Sequence, residues 1–293
     1  TEAKANLLKR VMAEPHLNPS NLKKHRARAS RYIANLQLLA AEAEAALREY
    51  NSNVRPKLVK ENNAITAAIK EALYGKGETK NDGSDVKTIV TLGTRNNDCK
   101  TPSAGKSIVG GLFCLCAVDN SHAAAKPCGF DTTAAKGGTW ATLGTTHKAA
   151  TWAAIKSACK HRPKPQLSEH TLRTIQTKFL SKLKGDPSLD GESKATAYLG
   201  TDNNGDCGAA HAARCVDYGS ALKPDPTGDK IAWYDELTNA ANAAAAWQKA
   251  CDDNIAYRQR IKTLQNQPHQ LYIILSVVGT TQIQQKSGTT EQA

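Results

Sequence analysis

The chain has 293 residues, 40% of them apolar but only 5% aromatic, with a formal charge of +12 and a pI of about 9.3. That length supports one large core or two modest ones, and abundant alanine beside few aromatics favours close-packed helices over a broad globule. The charge would suit a nucleic-acid partner. However, the only dense basic cluster (Lys23, Lys24, His25, Arg26, Arg28, Arg31) has no aromatic platform beyond Tyr32 and no nucleic-acid motif, so it reads as a solvated helix face.

Residues 2–13 form a short amphipathic pattern, with Leu7, Leu8, Val11 and Met12 on one side. Glu14-Pro15 ends it, because the residue before a proline disfavours the helical region. From Leu22 to Tyr74 two heptad stripes follow: Tyr32, Leu36, Leu39, Ala43, Ala46 and Tyr50, then Leu58, Asn62, Ile65, Ile69 and Ala72. Asn51, Ser52 and Asn53 between them read as turn and cap residues, with Pro56 in a first helical turn. So short a connection predicts an antiparallel helical hairpin. Gly75, Gly77, Asn81, Asp82 and Gly83 break the pattern.

Val86 to Leu92 and Ile108 to Val118 read as strands, with Gly110-Gly111 and Gly137-Gly138 as bends. On a strand Cys114 and Cys116 would share a face, so each should find a separate partner. Helical spacing returns at 144–160 (Ala149, Trp152, Ile155, Cys159) and from Leu167 to Leu183. Between Thr201 and Ser220 the chain is rich in Asn, Asp and Gly. A long helix is expected from Asp229 to about Gln265, with Trp233, Leu237, Ala240, Ala244, Trp247, Cys251, Asn254, Arg258 and Ile261 on its seam. The polar tail from Gln282 to Ala293 should fray.

The eight cysteines are 99, 114, 116, 128, 159, 207, 215 and 251. An even number without a Cys-x-x-Cys pair points to four disulfides in an oxidising compartment. A bond from Cys251 would pin the loop region to the bundle. Cys207-x3-His211-x3-Cys215 and Cys159-Lys160-His161 lack the tight paired spacing of zinc sites, so no metal or other cofactor is expected. Gly105-Lys106-Ser107 resembles the end of a phosphate-cradling loop, but the glycine that motif needs is Lys100. There is no Gly-x-Ser-x-Gly elbow and no His-Glu-x-x-His. The histidines stand singly, and Asp252-Asp253 and Asp235-Glu236 diverge around a helix. Catalytic residues are therefore expected to be none. Asn18-Pro19-Ser20 is no glycosylation sequon, because of its proline. The polar opening Thr1-Glu2 is not a signal peptide, and Leu271 to Val278 is too short to span a membrane, which needs ~20 residues.

The order of two long helices, a cysteine-rich section and a late helix resembles the N-terminal domain of the trypanosome variant surface glycoproteins. Tyr198-Leu199-Gly200, Cys207-Gly208, Cys215-Val216-x-Tyr218 and Ile231-Ala232-Trp233, ahead of an alanine-rich helix, are similar to the B class of that family. The resemblance implies a mainly α fold: an elongated three-helix bundle or coiled coil with a disulfide-rich upper lobe of short strands and loops. On that reading 1–293 is a single domain, with the bundle mainly in 20–75 and 229–265 and the lobe mainly in 84–228. It further implies a surface coat antigen evading host antibodies by antigenic variation and held to the membrane by a glycolipid on a C-terminal domain outside this chain. Self-association into dimers or trimers is implied, nucleic-acid binding and enzymatic activity are not. Ser220 is the candidate for an O-linked hexose seen in some B-class members. The alternative is a related helical-bundle receptor for a host serum protein.

Overall fold

The computed structural model describes residues 26–77, 93–120, 126–131, 138–143, 145–160, 163–185, 197–201, 207, 214–222 and 230–287. The expected strand at 86–92 and helix at 2–13 lie outside the described residues. Among the described residues the fold is mainly α, with long packed helices, three disulfides and one two-stranded sheet. Cα packing divides the chain into two compact units, Thr1–Lys60 with Trp247–Ala293, and Glu61–Ala246.

The expected hairpin turn at 51–53 does not form. Helix α1 (Arg26–Glu49) passes through a π-helical segment (Tyr50–Val54) directly into α2 (Arg55–Tyr74). The flanking residues Glu49 (φ −61°, ψ −44°) and Arg55 (φ −56°, ψ −44°) are both right-handed helical. Pro56 explains the wider segment. In a regular α-helix its ring would meet the carbonyl of Ser52 and its missing N–H would break the ladder. The π segment absorbs this, with Arg55 N–H donating to Tyr50 O, five residues back. Ser52, expected to cap a turn, instead donates its hydroxyl to Arg48 O at 2.8 Å, a bond made within a continuing helix.

In the first unit the α1 stripe is laid down as the heptads predict. Tyr32, Ala40 and Ala46 are buried, and Leu36, Leu39, Ala43 and Tyr50 half-buried. Its partner is the late helix α8 (Ala232–Ser287), not residues 58–72. Tyr50 lies 6.4 Å ring to ring from Tyr257, and Glu49 pairs with Arg260 at 3.8 Å. The α8 stripe in this unit is Ala250, Asn254, Tyr257, Ile261, Leu264 and Pro268, all buried or half-buried. The expected seam positions Trp247 and Arg258 are exposed. In the second unit α8 packs through Trp233, Leu237, Ala240 and Ala244. The helix also runs past the expected end at Gln265 to Ser287, with Pro268 inside it.

The second unit holds the large core. Ile65, Ala68 and Ala72 of α2 join it, whereas the predicted seam residue Asn62 is exposed. The apolar run expected to be a strand is helix α4 (Ile108–Cys116), which follows the short α3 (Arg95–Asp98). Ser107 caps α4, its Oγ accepting from Gly110 N at 2.8 Å. The helix is apolar nearly all round because it is buried nearly all round, a pattern that periodicity does not separate from a buried strand. Gly111 sits inside it where a Cβ would come within 3.0 Å of the Tyr218 hydroxyl. Helix α5 (Thr145–Cys159) buries Trp152 and Ile155, with Trp152 edge-on to Tyr74 at 6.0 Å. Helix α6 (Glu169–Leu180) buries Leu172 and Gln176, the latter donating to Tyr234 O and Thr238 Oγ1 of α8. Phe179 contacts the rings of Tyr218 and Trp233 edge-on, at 5.1 and 4.6 Å.

The strands occur later than expected. β1 (Tyr198–Thr201) and β2 (Arg214–Asp217) pair antiparallel, with Leu199 opposite Val216 and Gly200 opposite Cys215. Gly200 is required there: its φ is +113°, and a Cβ would strike the carbonyl oxygen of Arg214. Single-residue bridges extend the hairpin on both sides, to Lys100 and to Lys184. The short helix α7 (Gly219–Leu222) then follows.

Candidate functional site

Within the second unit the disulfides and buried charges converge on the C-terminal end of α4. Cys99, just after α3, bonds to Cys114, and Cys116, the last residue of α4, bonds to Cys128. On a helix residues two apart diverge by about 200°. The two cysteines therefore take separate partners, as expected, though for a different geometric reason. Cys207 bonds to Cys215 on β2. Bridges closing separations of 15, 12 and 8 residues each stabilise by about 2.5–3 kcal/mol on a chain-entropy estimate.

The last carbonyls of α4 face two arginines. Arg95 Nη2 donates to Cys114 O at 2.5 Å and Nη1 to Ala117 O at 3.4 Å, while Arg214 Nη1 donates to Ala117 O at 3.0 Å. A cation at a helix C-terminus meets both the orphan carbonyls and the negative end of the dipole. Arg95 is compensated by Asp119 at 2.9 Å, in a pair whose side chains are 3% and 1% exposed. The guanidinium also lies 4.7 Å over the ring of Trp140. Trp140 Nε1 in turn donates to Asp98 Oδ2, which also accepts from Gly93 N. Burial pulls the Arg95 guanidinium down to about 10, with Asp119 acting in the opposite direction. Arg214 is lowered too, by burial first, against the same aspartate. This arrangement holds backbone.

A family model of the trypanosomal VSG domain matches residues 2–263. The chain belongs to that family. It is also 31% identical over 229 residues to variant surface glycoprotein YnAT 1.3 of Trypanosoma congolense, an alignment covering 70% of this chain and 51% of that protein. The chain thus spans about half the length of that relative.

Two cysteines of this VSG domain depart from expectation. Cys159 at the end of α5 is an exposed free thiol, and Cys251 on α8 is a half-buried free thiol. The expected fourth bridge is not among the described disulfides. Both lie on regular helices in different units, and nothing in the spacing of cysteines along a sequence measures distance in space. Cys207 and Cys215, weighed as metal ligands, are consumed by their mutual bond. Among the described residues no group of His, Cys, Asp and Glu could hold a metal ion, and no helix is long and apolar enough to cross a membrane. Gly105-Lys106-Ser107 is a packed turn: Gly105 lies against the backbone of Lys230 and Ile231, its carbonyl accepts from Trp233 N, and Ser107 caps α4. Ser220 is exposed, but it stands in the first turn of α7 rather than in an open loop, and its Oγ pairs with Thr101 Oγ1.

The residues that sequence reasoning missed are Arg95, Asp98, Asp119, Trp140 and Arg214. The signal available was faint: a charged Arg95-Asn96-Asn97-Asp98 run beside Cys99, and Asp119 following an apolar stretch. Apart from Gly93, five residues from Asp98, their partners are 19 to 97 residues away.

Proposed function

We propose that this chain is the outward-displayed domain of a surface coat antigen that packs into a dense layer and evades host antibodies by antigenic variation. The observation carrying the reading is the family match over residues 2–263. The build of the domain supports it: a polar cluster and three disulfides stabilise a lobe without forming a reaction site. On this reading the complete protein is held at the extracellular face of the plasma membrane by a glycolipid anchor beyond residue 293. It associates with its own copies as dimers or trimers, catalyses nothing and binds no nucleic acid. An O-linked hexose on Ser220 belongs to the same proposal; it would displace the bond to Thr101, and an intact mass equal to the bare polypeptide removes it.

The test is surface labelling of living cells that express the complete protein, using antibodies raised against residues 1–293. Coat function requires uniform labelling over the whole cell surface, released by a phospholipase that cuts glycolipid anchors. In parallel, sedimentation of the isolated chain should show weak self-association that strengthens with salt, because the +12 charge is then screened. Labelling confined to a small surface patch, with a strict monomer that binds one serum protein tightly, would overturn the coat reading in favour of a receptor.

A further inference from the structure

The three disulfides are not equally shielded. Cys99, Cys114, Cys207 and Cys215 are each 0% exposed, and Cys116 is 3% exposed. Cys128 is half-buried, between exposed Lys126 and exposed Gly129. Gly129 has φ +79°, and a Cβ placed there would meet nothing within 4 Å, so the backbone beside Cys128 opens onto free space. We propose that Cys116–Cys128 is a reductant-sensitive latch, opened by a small dithiol while the other two bridges stay closed.

Thiol–disulfide exchange needs a thiolate in line with one accessible sulfur. Cys128 is the less buried of the two cysteines, and exposed Lys126 two residues away adds positive charge to the segment that an incoming thiolate approaches. Attack forms a bond between the reductant and Cys128 Sγ and breaks the Cys128–Cys116 bond, so the electron pair leaves on Cys116 Sγ as a thiolate. The second thiol of the reductant then displaces Cys128, giving an oxidised cyclic reductant and two protein thiols. Cys116 ends α4, where the helix dipole disfavours a leaving thiolate. Arg95 and Arg214, both bonded to the carbonyl of the next residue, bring positive charge to the same point and offset that penalty.

Opening the latch loosens a limited segment. Asp119 stays paired with Arg95, and Asn120 N stays bonded to Gly138 O. Cys99–Cys114 still joins α3 to α4. Residues 126–131 lose their covalent tie to α4 and keep the packing of half-buried Cys128 and Phe130 against the core. The reduced form is a folded domain with one altered surface segment.

The experiment uses the whole 1–293 chain under native conditions. Iodoacetamide first blocks the two free thiols; dithiothreitol is then raised stepwise, new thiols are trapped with N-ethylmaleimide, and peptides are mapped by mass. Cys116 and Cys128 should be trapped together at a dithiothreitol concentration at least tenfold below that needed for the other four, with unchanged far-UV circular dichroism. A Cys116→Ser/Cys128→Ser double variant should lose that first step alone. Should the variant not fold, the wild-type titration still decides. Trapping of Cys99, Cys114, Cys207 or Cys215 at the same or lower concentration, or loss of helical signal with the first step, would overturn the proposal.

Discussion

Replacing Asp119 by leucine tests the account of the lobe most severely. The substitution leaves the Arg95 guanidinium buried, its side chain 3% exposed, with no counter-charge. Removing one partner of such a pair typically costs 3–5 kcal/mol. Two carbonyl acceptors, Cys114 O and Ala117 O, remain to Arg95 and place the expected loss toward the lower half of that range. For a unit of this size, Tm falls by about 2–4 °C per kcal/mol, so a drop of roughly 6–15 °C is expected. Arg95→Met should cost less, because Asp119 keeps Arg214 as a neighbouring counter-charge. The double variant Arg95→Met/Asp119→Leu strands neither. Its remaining costs are the unmet Cys114 carbonyl, about 1–3 kcal/mol, and the loss of the aspartate beside Arg214; Ala117 O keeps Arg214. Urea unfolding of the oxidised chain, followed by tryptophan fluorescence, measures all three. Trp140, Trp152 and Trp233 lie in the same unit and report on it. A single substitution costing under about 1 kcal/mol, or a double variant equal to the sum of the singles, would refute the claim that this pair is a mutually dependent buried unit.

Three further outcomes are expected. Thiol titration of the denatured, unreduced protein should find two free thiols per chain, Cys159 and Cys251; a count of zero would mean that all eight cysteines are bonded. Gly200→Ala should destabilise by about 2–5 kcal/mol, from backbone strain at positive φ and collision with the Arg214 carbonyl, and a thermal midpoint within 1–2 °C of wild type would contradict the hairpin geometry. Burial holds the Tyr218 phenol above its ordinary value of 10.0. The unfolded chain therefore ionises first, and this contribution to stability is intact below pH ~10 and lost as pH rises beyond it. Tyr218→Phe should flatten the alkaline fall in stability measured by denaturant midpoint, and an unchanged fall would show that Tyr218 is not its source.

By itself, the sequence determined the helical class, the α1 stripe from Tyr32 to Tyr50, the helices at 145–159 and 169–180 and the family motifs around Cys207, Cys215 and Trp233. These are local properties: apolar spacing of 3.5–3.6 residues and capping residues act within one or two turns, so a linear reading registers them. It did not determine what each stripe packs against. Asn51 to Asn53 carry turn chemistry, but the chain continues into α2 through the π segment around Pro56, while Tyr50 packs on Tyr257, 207 residues later. Ile108 to Cys116 is apolar on every side, and only burial on every side shows that it is a helix. The Arg95–Asp119 pair joins residues 24 apart, and Arg214 reaches the same carbonyl from 97 residues away. Such pairings leave no periodic trace in a chain, because they are fixed by the desolvation of charges in a core that exists only after the helices and disulfides have come together.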